Sequence, residues 1–154
     1  MAVEIALPGR PAIEVRNLAL DFTGTLSRDG RLLPGVAERV TALAGRLSIT
    51  VMTADTRGTA RRELAGLPLA VELVRDGAAK AELVRRFGPE RTAAIGNGRN
   101  DVEMVAMAAI GIAVLGAEGA AGELIRVADV VAPDVTTALD LLADPLRLVA
   151  TLRD

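Results

Sequence analysis

The sequence predicts an α/β fold: a Rossmann-like three-layer sandwich in which helices cover both faces of a mainly parallel sheet. Short apolar runs alternate with amphipathic stretches along the 154 residues, which is typical of repeated strand–helix units. The apolar runs are mostly uninterrupted by charge, as in strands that are buried on both faces.

Turn residues divide the chain into the predicted elements. Pro-Gly-Arg-Pro at 8–11 predicts an N-terminal β-hairpin over residues 1–16, and Asp29-Gly30 predicts a small flap hairpin over 27–34. The remaining predicted strands cover 17–21, 48–52, 69–74, 92–95, 110–115 and 129–131. The predicted helices cover 36–47, 56–65, 78–87, 101–109, 120–127, 136–142 and 145–152.

Composition excludes several classes of function. The chain has no cysteine and no histidine, which rules out disulfides, thiol catalysis, an imidazole base and a zinc site built from these residues. Two aromatic residues and a net charge of −2 argue against a nucleic-acid partner. Lys80 is the only lysine among 18 basic residues, so a specific chemical need for an ammonium group is one explanation and chance is the other.

The length fits one domain spanning residues 1–154. The longest uncharged apolar run has 14 residues, 104–117, whereas a membrane-spanning helix needs about 20. Residues 1–10 lack the apolar segment of a secretory signal. We therefore expect a cytoplasmic protein with no membrane partner.

Polar residues follow four of the predicted strands. They form the stretches Asp21-Phe22-Thr23-Gly24-Thr25, Thr53-Ala54-Asp55-Thr56, Asp76-Gly77 leading to Lys80, and Gly96-Asn97-Gly98-Arg99-Asn100-Asp101. In open α/β sheets, ligands bind beyond the carboxyl ends of the strands. We therefore expect these four stretches to form one site.

The residue types in this site suit phosphoryl transfer. Asp21 is a candidate nucleophile at a strand end, and Thr25 and Thr53 offer hydroxyl donors to phosphate oxygens. Lys80 would neutralise charge on the nucleophile and on the phosphoryl group. Asn97 and Asp101 supply the oxygen ligands that Mg²⁺ prefers.

In this order, the four stretches resemble the four motifs of the haloacid dehalogenase-like phosphotransferase superfamily. The segments 21–26 and 53–55 resemble the forms found in P-type cation ATPases, and 96–101 resembles the metal loop Gly-Asp-Gly-x-Asn-Asp. The resemblance covers the chain from about residue 17 onward. Together with the N-terminal hairpin, it is greatest to the small soluble phosphatases related to P-type ATPases.

The resemblance implies a role for each matching residue. Catalysis would involve Asp21, as the residue that becomes phosphorylated, together with Thr23, Thr53 and Lys80. The phosphoryl group would be held by Thr53, the amide of Ala54, Lys80 and Asn100. Mg²⁺, the expected cofactor, would be held by Asp21, the carbonyl of Thr23, Asn97 and Asp101, with Asp101 either in direct contact or orienting Lys80 or a metal-bound water.

Two departures from the family pattern predict slow turnover. Thr23 stands where dedicated phosphatases carry an aspartate as general acid and base, and losing such catalysis typically costs about 10²–10⁴-fold. Asn97 stands where the family usually has Asp, so we expect weaker metal binding.

The spacing of the motifs leaves no room for a cap domain. The intervals from Asp21 to Thr53 and from Thr53 to Lys80 suffice only for a flap, helices and strands. The site should therefore be open to its phosphorylated substrate, or covered by a second copy of the chain.

The sequence thus predicts a slow, Mg²⁺-dependent phosphohydrolase acting through Asp21. Two alternatives stay open: a catalytically weakened module that binds phosphate or metal for regulation, and a subunit that uses its uncapped face to assemble a complex.

Overall fold

The computed structural model describes residues 1–154 and confirms the α/β class. The strands are β1 (Val3–Ile5), β2 (Ile13–Val15), β3 (Asn17–Asp21), β4 (Ser27–Arg28), β5 (Arg31–Leu32), β6 (Ser48–Thr53), β7 (Ala70–Leu73), β8 (Thr92–Gly96), β9 (Ile110–Val114) and β10 (Val130–Ala132). The helices are α1 (Val36–Ala44), α2 (Ala60–Glu63), α3 (Gly77–Phe87), α4 (Val102–Met107), α5 (Gly122–Val127), α6 (Val135–Ala143) and α7 (Pro145–Leu152).

Six parallel strands form the central sheet in the order β10-β9-β8-β3-β6-β7. The first strand of this sheet, β3, lies at its centre, with Leu20 opposite Val51 on one side and Ile95 on the other. This register brings the ends of β3, β6 and β8 to the same edge of the sheet. The loops that follow these three strands are therefore neighbours in space, although they are far apart along the chain.

Alternate residues of the strands supply two separate apolar cores, as the two-residue period of a strand requires. On one face, Leu18 and Leu20 of β3 belong to a core shared with α1, α6 and α7. On the other face, Ala19 belongs to a core shared with α3, α4 and α5. Full burial of one such leucine stabilises the fold by about 1.5–3 kcal/mol.

The helix predicted over 56–65 is shorter than expected, because only Ala60–Glu63 is α-helical. Asp55 and Gly58 both have left-handed backbone conformations, with φ of 52° and 67°, which an α-helix does not accommodate. The carboxylate of Asp55 instead accepts hydrogen bonds from the amides of Thr59 and Ala60, at 2.9 and 3.0 Å, just where the short helix begins. The helix predicted from residue 101 likewise begins at Val102, since 99–101 form a 3-10 turn.

Both predicted hairpins are present. In the N-terminal hairpin β1 pairs antiparallel with β2, and in the flap β4 pairs antiparallel with β5. The flap is joined to the loop after β6, where the hydroxyl of Thr59 donates to the carbonyl of Gly30 at 2.6 Å. Between β3 and β6 the chain holds only this flap and α1, and between β6 and α3 only α2 and β7, so neither interval contains a cap domain.

None of the seven helices has the length and apolar character needed to span a lipid bilayer.

The close approach of α4 to the sheet gives a test of the packing. A Cβ added at Gly111 of β9 would lie 2.3 Å from the carbonyl oxygen of Val105, a backbone atom that cannot turn aside. We expect Gly111→Ala to lower the free energy of unfolding by about 1–3 kcal/mol, the usual cost of overpacking. Urea unfolding followed by circular dichroism measures this change.

Gly122→Ala is the matched control, because no atom lies within 4 Å of the added carbon at the start of α5. Alanine is the better helix former, so this variant should be at least as stable as the parent protein. Equal stability of the two variants would contradict the proposed packing.

Candidate functional site

The four predicted stretches meet at the carboxyl edge of the sheet. Asp21 ends β3, Thr53 ends β6, and the 97–101 loop follows β8. Lys80 lies in the first turn of α3, where the carboxylate of Asp76 caps the helix by accepting from the amide of Ala79 at 2.9 Å. A cavity of about 290 Å³ opens at this edge and is lined by Asp21, Thr23, Thr53, Ala54, Thr56, Asn97, Gly98, Asn100 and Glu118.

Lys80 bridges two carboxylates at the base of the site. Its Nζ donates to Asp21 Oδ1 at 2.7 Å and to Asp101 Oδ1 at 2.8 Å. All three side chains are buried, and those of Lys80 and Asp101 are 1% and 0% exposed. Lys80, which lies on α3, therefore connects the residue that ends β3 with the loop that follows β8. In this arrangement one buried ammonium group faces two buried carboxyl groups.

Burial and the neighbouring charges together shift the pKa values of Asp21 and Lys80. Burial raises the pKa of Asp21 to about 7, the negative charge of Asp101 adds to this effect, and Lys80 opposes it. For Lys80, burial disfavours the ammonium form, but the charges of Asp21 and Asp101 outweigh burial and raise its pKa above the ordinary value. Lys80 therefore stays charged at neutral pH, while Asp21 is easily protonated when no further cation is present.

Asp101 is held by protein donors on both of its oxygens. Oδ2 accepts from the amides of Asn97 and Gly98, at 3.1 and 3.0 Å, while Oδ1 accepts from Lys80. A Cβ at Gly96 would lie 2.5 Å from the Asp101 carboxyl carbon, so only glycine fits there. Because Asp101 does not line the cavity, this geometry favours its orienting Lys80 and gives no support to the predicted direct contact with metal.

Thr25 is placed differently from the prediction that its hydroxyl contacts phosphate. The side chain is buried and absent from the cavity wall. Its hydroxyl lies 2.9 Å from Asp21 Oδ2 and 3.1 Å from Asn97 Oδ1, and these two oxygens share its single proton. Thr25 therefore holds the candidate nucleophile and the candidate metal ligand beside each other.

The remaining predicted residues lie on the wall of the cavity. The hydroxyl oxygen of Thr53 accepts from the amide of Asp55 at 2.9 Å, which leaves its proton free for a ligand. Ala54 and Asn100 are exposed in the cavity, and Thr23 is half-buried. The cavity wall thus carries the donors that an anion requires and, in Asp21, the predicted nucleophile.

The oxygen atoms of the site suit a hard divalent cation. Asp21 supplies a carboxylate, Asn97 a side-chain amide oxygen and Thr23 a backbone carbonyl, which together form the kind of donor set that Mg²⁺ accepts. No basic side chain lines the cavity, whereas two carboxylates do, so its charge favours a cation. The chain has no group of three or more His, Cys, Asp or Glu able to hold a metal. A cation at this site would therefore also need the neutral oxygens of Asn97 and of the Thr23 carbonyl.

Sequence reasoning missed one lining residue with a polar side chain, Glu118, whereas Thr56 also lines the cavity and belongs to the predicted 53–56 stretch. Glu118 follows β9, another strand of the same parallel sheet. The rule that ligands bind beyond strand ends therefore applied to it as well. The sequence prediction used only the four strands that are followed by hydroxyl, lysine and asparagine residues.

Comparisons with known proteins place this chain among related sequences and folds. A sequence model of the haloacid dehalogenase-like hydrolases matches residues 67–138, a range that includes Lys80 and the 97–101 loop. The uncharacterized protein MJ0073 of Methanocaldococcus jannaschii is 44% identical over 73 residues, which cover 47% of this chain and 78% of that protein.

Solved structures share the fold. The 3-deoxy-D-manno-octulosonate 8-phosphate phosphatase of Moraxella catarrhalis, in complex with magnesium, phosphate and KDO, superposes with a TM-score of 0.70 at 17% identity, over 88% of this chain and 90% of that one. The cobalt-bound deoxy-D-mannose-octulosonate 8-phosphate phosphatase of Haemophilus influenzae gives a TM-score of 0.68 at 16% identity, over 90% of this chain and 89% of that one.

The raised pKa of Asp21 predicts a pH-dependent stability. The ordinary pKa of an aspartate is 3.8, and that of Asp21 in the folded protein is about 7. Between these two pH values, the folded protein holds a proton on Asp21 that the unfolded chain releases. Raising the pH through this window therefore lowers the free energy of unfolding. Asp21→Asn removes the titration and keeps an oxygen acceptor for Lys80. As the pH rises from 5 to 8, the free energy of unfolding of this variant should increase by about 1–3 kcal/mol relative to that of the parent protein.

Urea unfolding at several pH values, with a chelator to remove metal ions, measures this difference. The stability contributed by the raised pKa of Lys80 is lost only above its ordinary value of 10.5, outside this window. A stability difference that does not change with pH would contradict the assignment.

Proposed function

This chain belongs to the haloacid dehalogenase-like hydrolases, and from that premise we propose that it is a Mg²⁺-dependent phosphohydrolase acting through an aspartyl-phosphate on Asp21. One observation carries the proposal: the Asp21 carboxylate, at the end of the central strand, lines an open cavity while its Oδ1 is held by the only lysine of the chain.

In the proposed reaction, a carboxylate oxygen of Asp21 attacks the phosphorus atom of the substrate. The bond to the leaving-group oxygen breaks, and that oxygen keeps the electron pair. Lys80 lowers the electrostatic cost of bringing a dianion to a carboxylate, since it stays charged and contacts Asp21 directly. Thr53, the amide of Ala54 and Asn100 line the cavity where the phosphoryl oxygens would bind.

Asp21, the carbonyl of Thr23 and Asn97 would hold Mg²⁺, which supplies positive charge between the nucleophile and the phosphate. A cation beside Asp21 also favours its ionised form, the form that attacks phosphorus. The magnesium and phosphate bound to the Moraxella catarrhalis phosphatase support a divalent cation and a phosphate group as the class of ligand.

Thr23 is the reason that we propose slow turnover. Thr23 lines the cavity, and the motif resemblance assigns it the place of the superfamily's acid–base aspartate. A hydroxyl neither donates nor accepts a proton readily at neutral pH. The same observation favours a second candidate function, a module that binds phosphate and metal without significant turnover.

The open cavity would accept a large phosphorylated substrate, or a second copy of the chain as its cover.

Replacing the nucleophile tests the central proposal. Asp21→Asn should lower Mg²⁺-dependent hydrolysis of acetyl phosphate at least about 10³-fold, because the amide cannot form the phosphoenzyme. The parent protein should also bind beryllium fluoride in the presence of Mg²⁺, and the variant should not. Asp144→Asn, at the start of α7, removes the same charge at a distance from the site and serves as the control. Unchanged turnover in Asp21→Asn would refute the mechanism, and beryllium fluoride binding without turnover in the parent would favour the binding module.

Restoring an acid at position 23 tests the explanation for slow turnover. Thr23→Asp should accelerate hydrolysis of p-nitrophenyl phosphate by about 10²-fold or more. Thr23→Asn has a similar shape but no exchangeable carboxyl proton, and it should give no such gain. Equal rates in the two variants would show that the missing aspartate does not limit turnover.

A further inference from the structure

The loop between β9 and α5 belongs to the wall of the candidate site. The carbonyl of Gly119 accepts a hydrogen bond from Asn97 Nδ2 at 3.1 Å, and the amide of Ala121 donates to the Asn97 carbonyl at 2.8 Å. At the other end of the loop, the amide of Gly116 donates to the carbonyl of Pro133 at 3.0 Å. The loop is therefore attached at both ends, and one of these attachments is the candidate metal ligand itself.

Glu118 lies within this loop, next to the residue that Asn97 contacts. Asp21 and Glu118 are the only carboxylates that line the cavity. Asp21 is buried and bonded to Lys80 and Thr25, whereas Glu118 is exposed and makes no hydrogen bond or ion pair within the chain. Glu118 is thus the one carboxylate on the cavity wall that no other group of the protein engages.

The position of Glu118 argues against two other roles. A carboxylate repels a phosphoryl group, so Glu118 is unsuited to binding the transferred phosphate. Asp21, Asp101 and Glu118 do not form a three-carboxylate metal cluster. A free carboxylate on the open side of a cavity whose base is the nucleophile is suited to act on water that enters from solvent.

We propose that Glu118 is the general base for hydrolysis of the aspartyl-phosphate, and this inference rests on the proposed function of Asp21. A water molecule in the cavity attacks phosphorus and gives one proton to the Glu118 carboxylate. The bond between phosphorus and the Asp21 oxygen breaks, and the electron pair returns to the Asp21 carboxylate. Inorganic phosphate leaves, and Glu118 then releases its proton to solvent.

Glu118 therefore supplies from a neighbouring loop the base that Thr23 cannot provide. The first half-reaction, transfer from an acyl phosphate to Asp21, needs no base because the nucleophile is already a carboxylate. The two residues thus act in different steps, and their contributions are experimentally separable.

Rapid-mixing labelling with radioactive acetyl phosphate and Mg²⁺ measures the two steps separately. Glu118→Gln should form the phosphoenzyme at the rate of the parent protein but hydrolyse it at least about tenfold more slowly, in line with the usual contribution of a general base. Glu118→Asp should fall between the two. Glu90→Gln removes an exposed carboxylate from the turn before β8, at the opposite edge of the sheet, and should match the parent in both steps.

A second comparison separates catalysis from a structural role. In the Thr23→Asp background, position 23 carries its own base, so Glu118→Gln should have less than about a threefold effect on decay of the phosphoenzyme. A structural defect would persist in both backgrounds.

The outcomes distinguish this inference from the proposed function. If the parent protein forms no phosphoenzyme on Asp21, the proposed function fails, and this inference fails with it. If the phosphoenzyme forms and Glu118→Gln decays within about threefold of the parent rate, only the role of Glu118 is overturned. The role is also overturned if Glu118→Gln slows formation equally or raises the Mg²⁺ concentration needed for phosphorylation, since either result would indicate metal binding.

Discussion

The site depends on a buried ammonium group placed between two buried carboxylates. Removing Lys80 would leave Asp21 and Asp101 together without compensation in the protein interior, an arrangement that typically costs several kcal/mol. A lysine meets this need better than an arginine, because its compact charge bonds two separate oxygens where a planar guanidinium would need more room. The chain uses arginine at all of its other basic positions, and its single lysine stands where this constraint applies.

The same interaction organises the loops around it. Asp101 is held in place by Lys80 and in turn binds the amides of Asn97 and Gly98, so the loop after β8 takes its shape from a side chain at its own end. Thr25 connects Asp21 to Asn97 on the other side. No buried side-chain nitrogen or oxygen atom lacks a hydrogen-bond partner, which indicates a site already formed before any ligand binds.

The fold places residues at the sheet edge, but the chemistry depends on which loops carry which side chains. Parallel strands bring many loops to one edge, and a catalytic group can be supplied by more than one of them. Threonine at position 23 and a free glutamate at position 118 are consistent with such a redistribution. The four motifs of the resemblance lie in the loops after β3, β6 and β8 and on α3. None of them lies in the loop after β9, which carries Glu118.

The sequence by itself determined the α/β class, the order of the strands and helices, the two hairpins and the lone lysine, because these depend on local periodicity, turn residues and composition. It also indicated which residues would meet at the sheet edge, since strand ends of a parallel sheet share one side. Only the tertiary structure decided that the helix expected after Asp55 would begin as late as Ala60, that Thr25 would face Asp21 and Asn97, that Asp101 would be fully engaged by protein donors, and that Glu118 would line the cavity. The placement of Thr25 depends on a contact across 72 positions of the chain, with Asn97, and the bond from Lys80 to Asp101 spans 21 positions. No local pattern records the direction in which such side chains point.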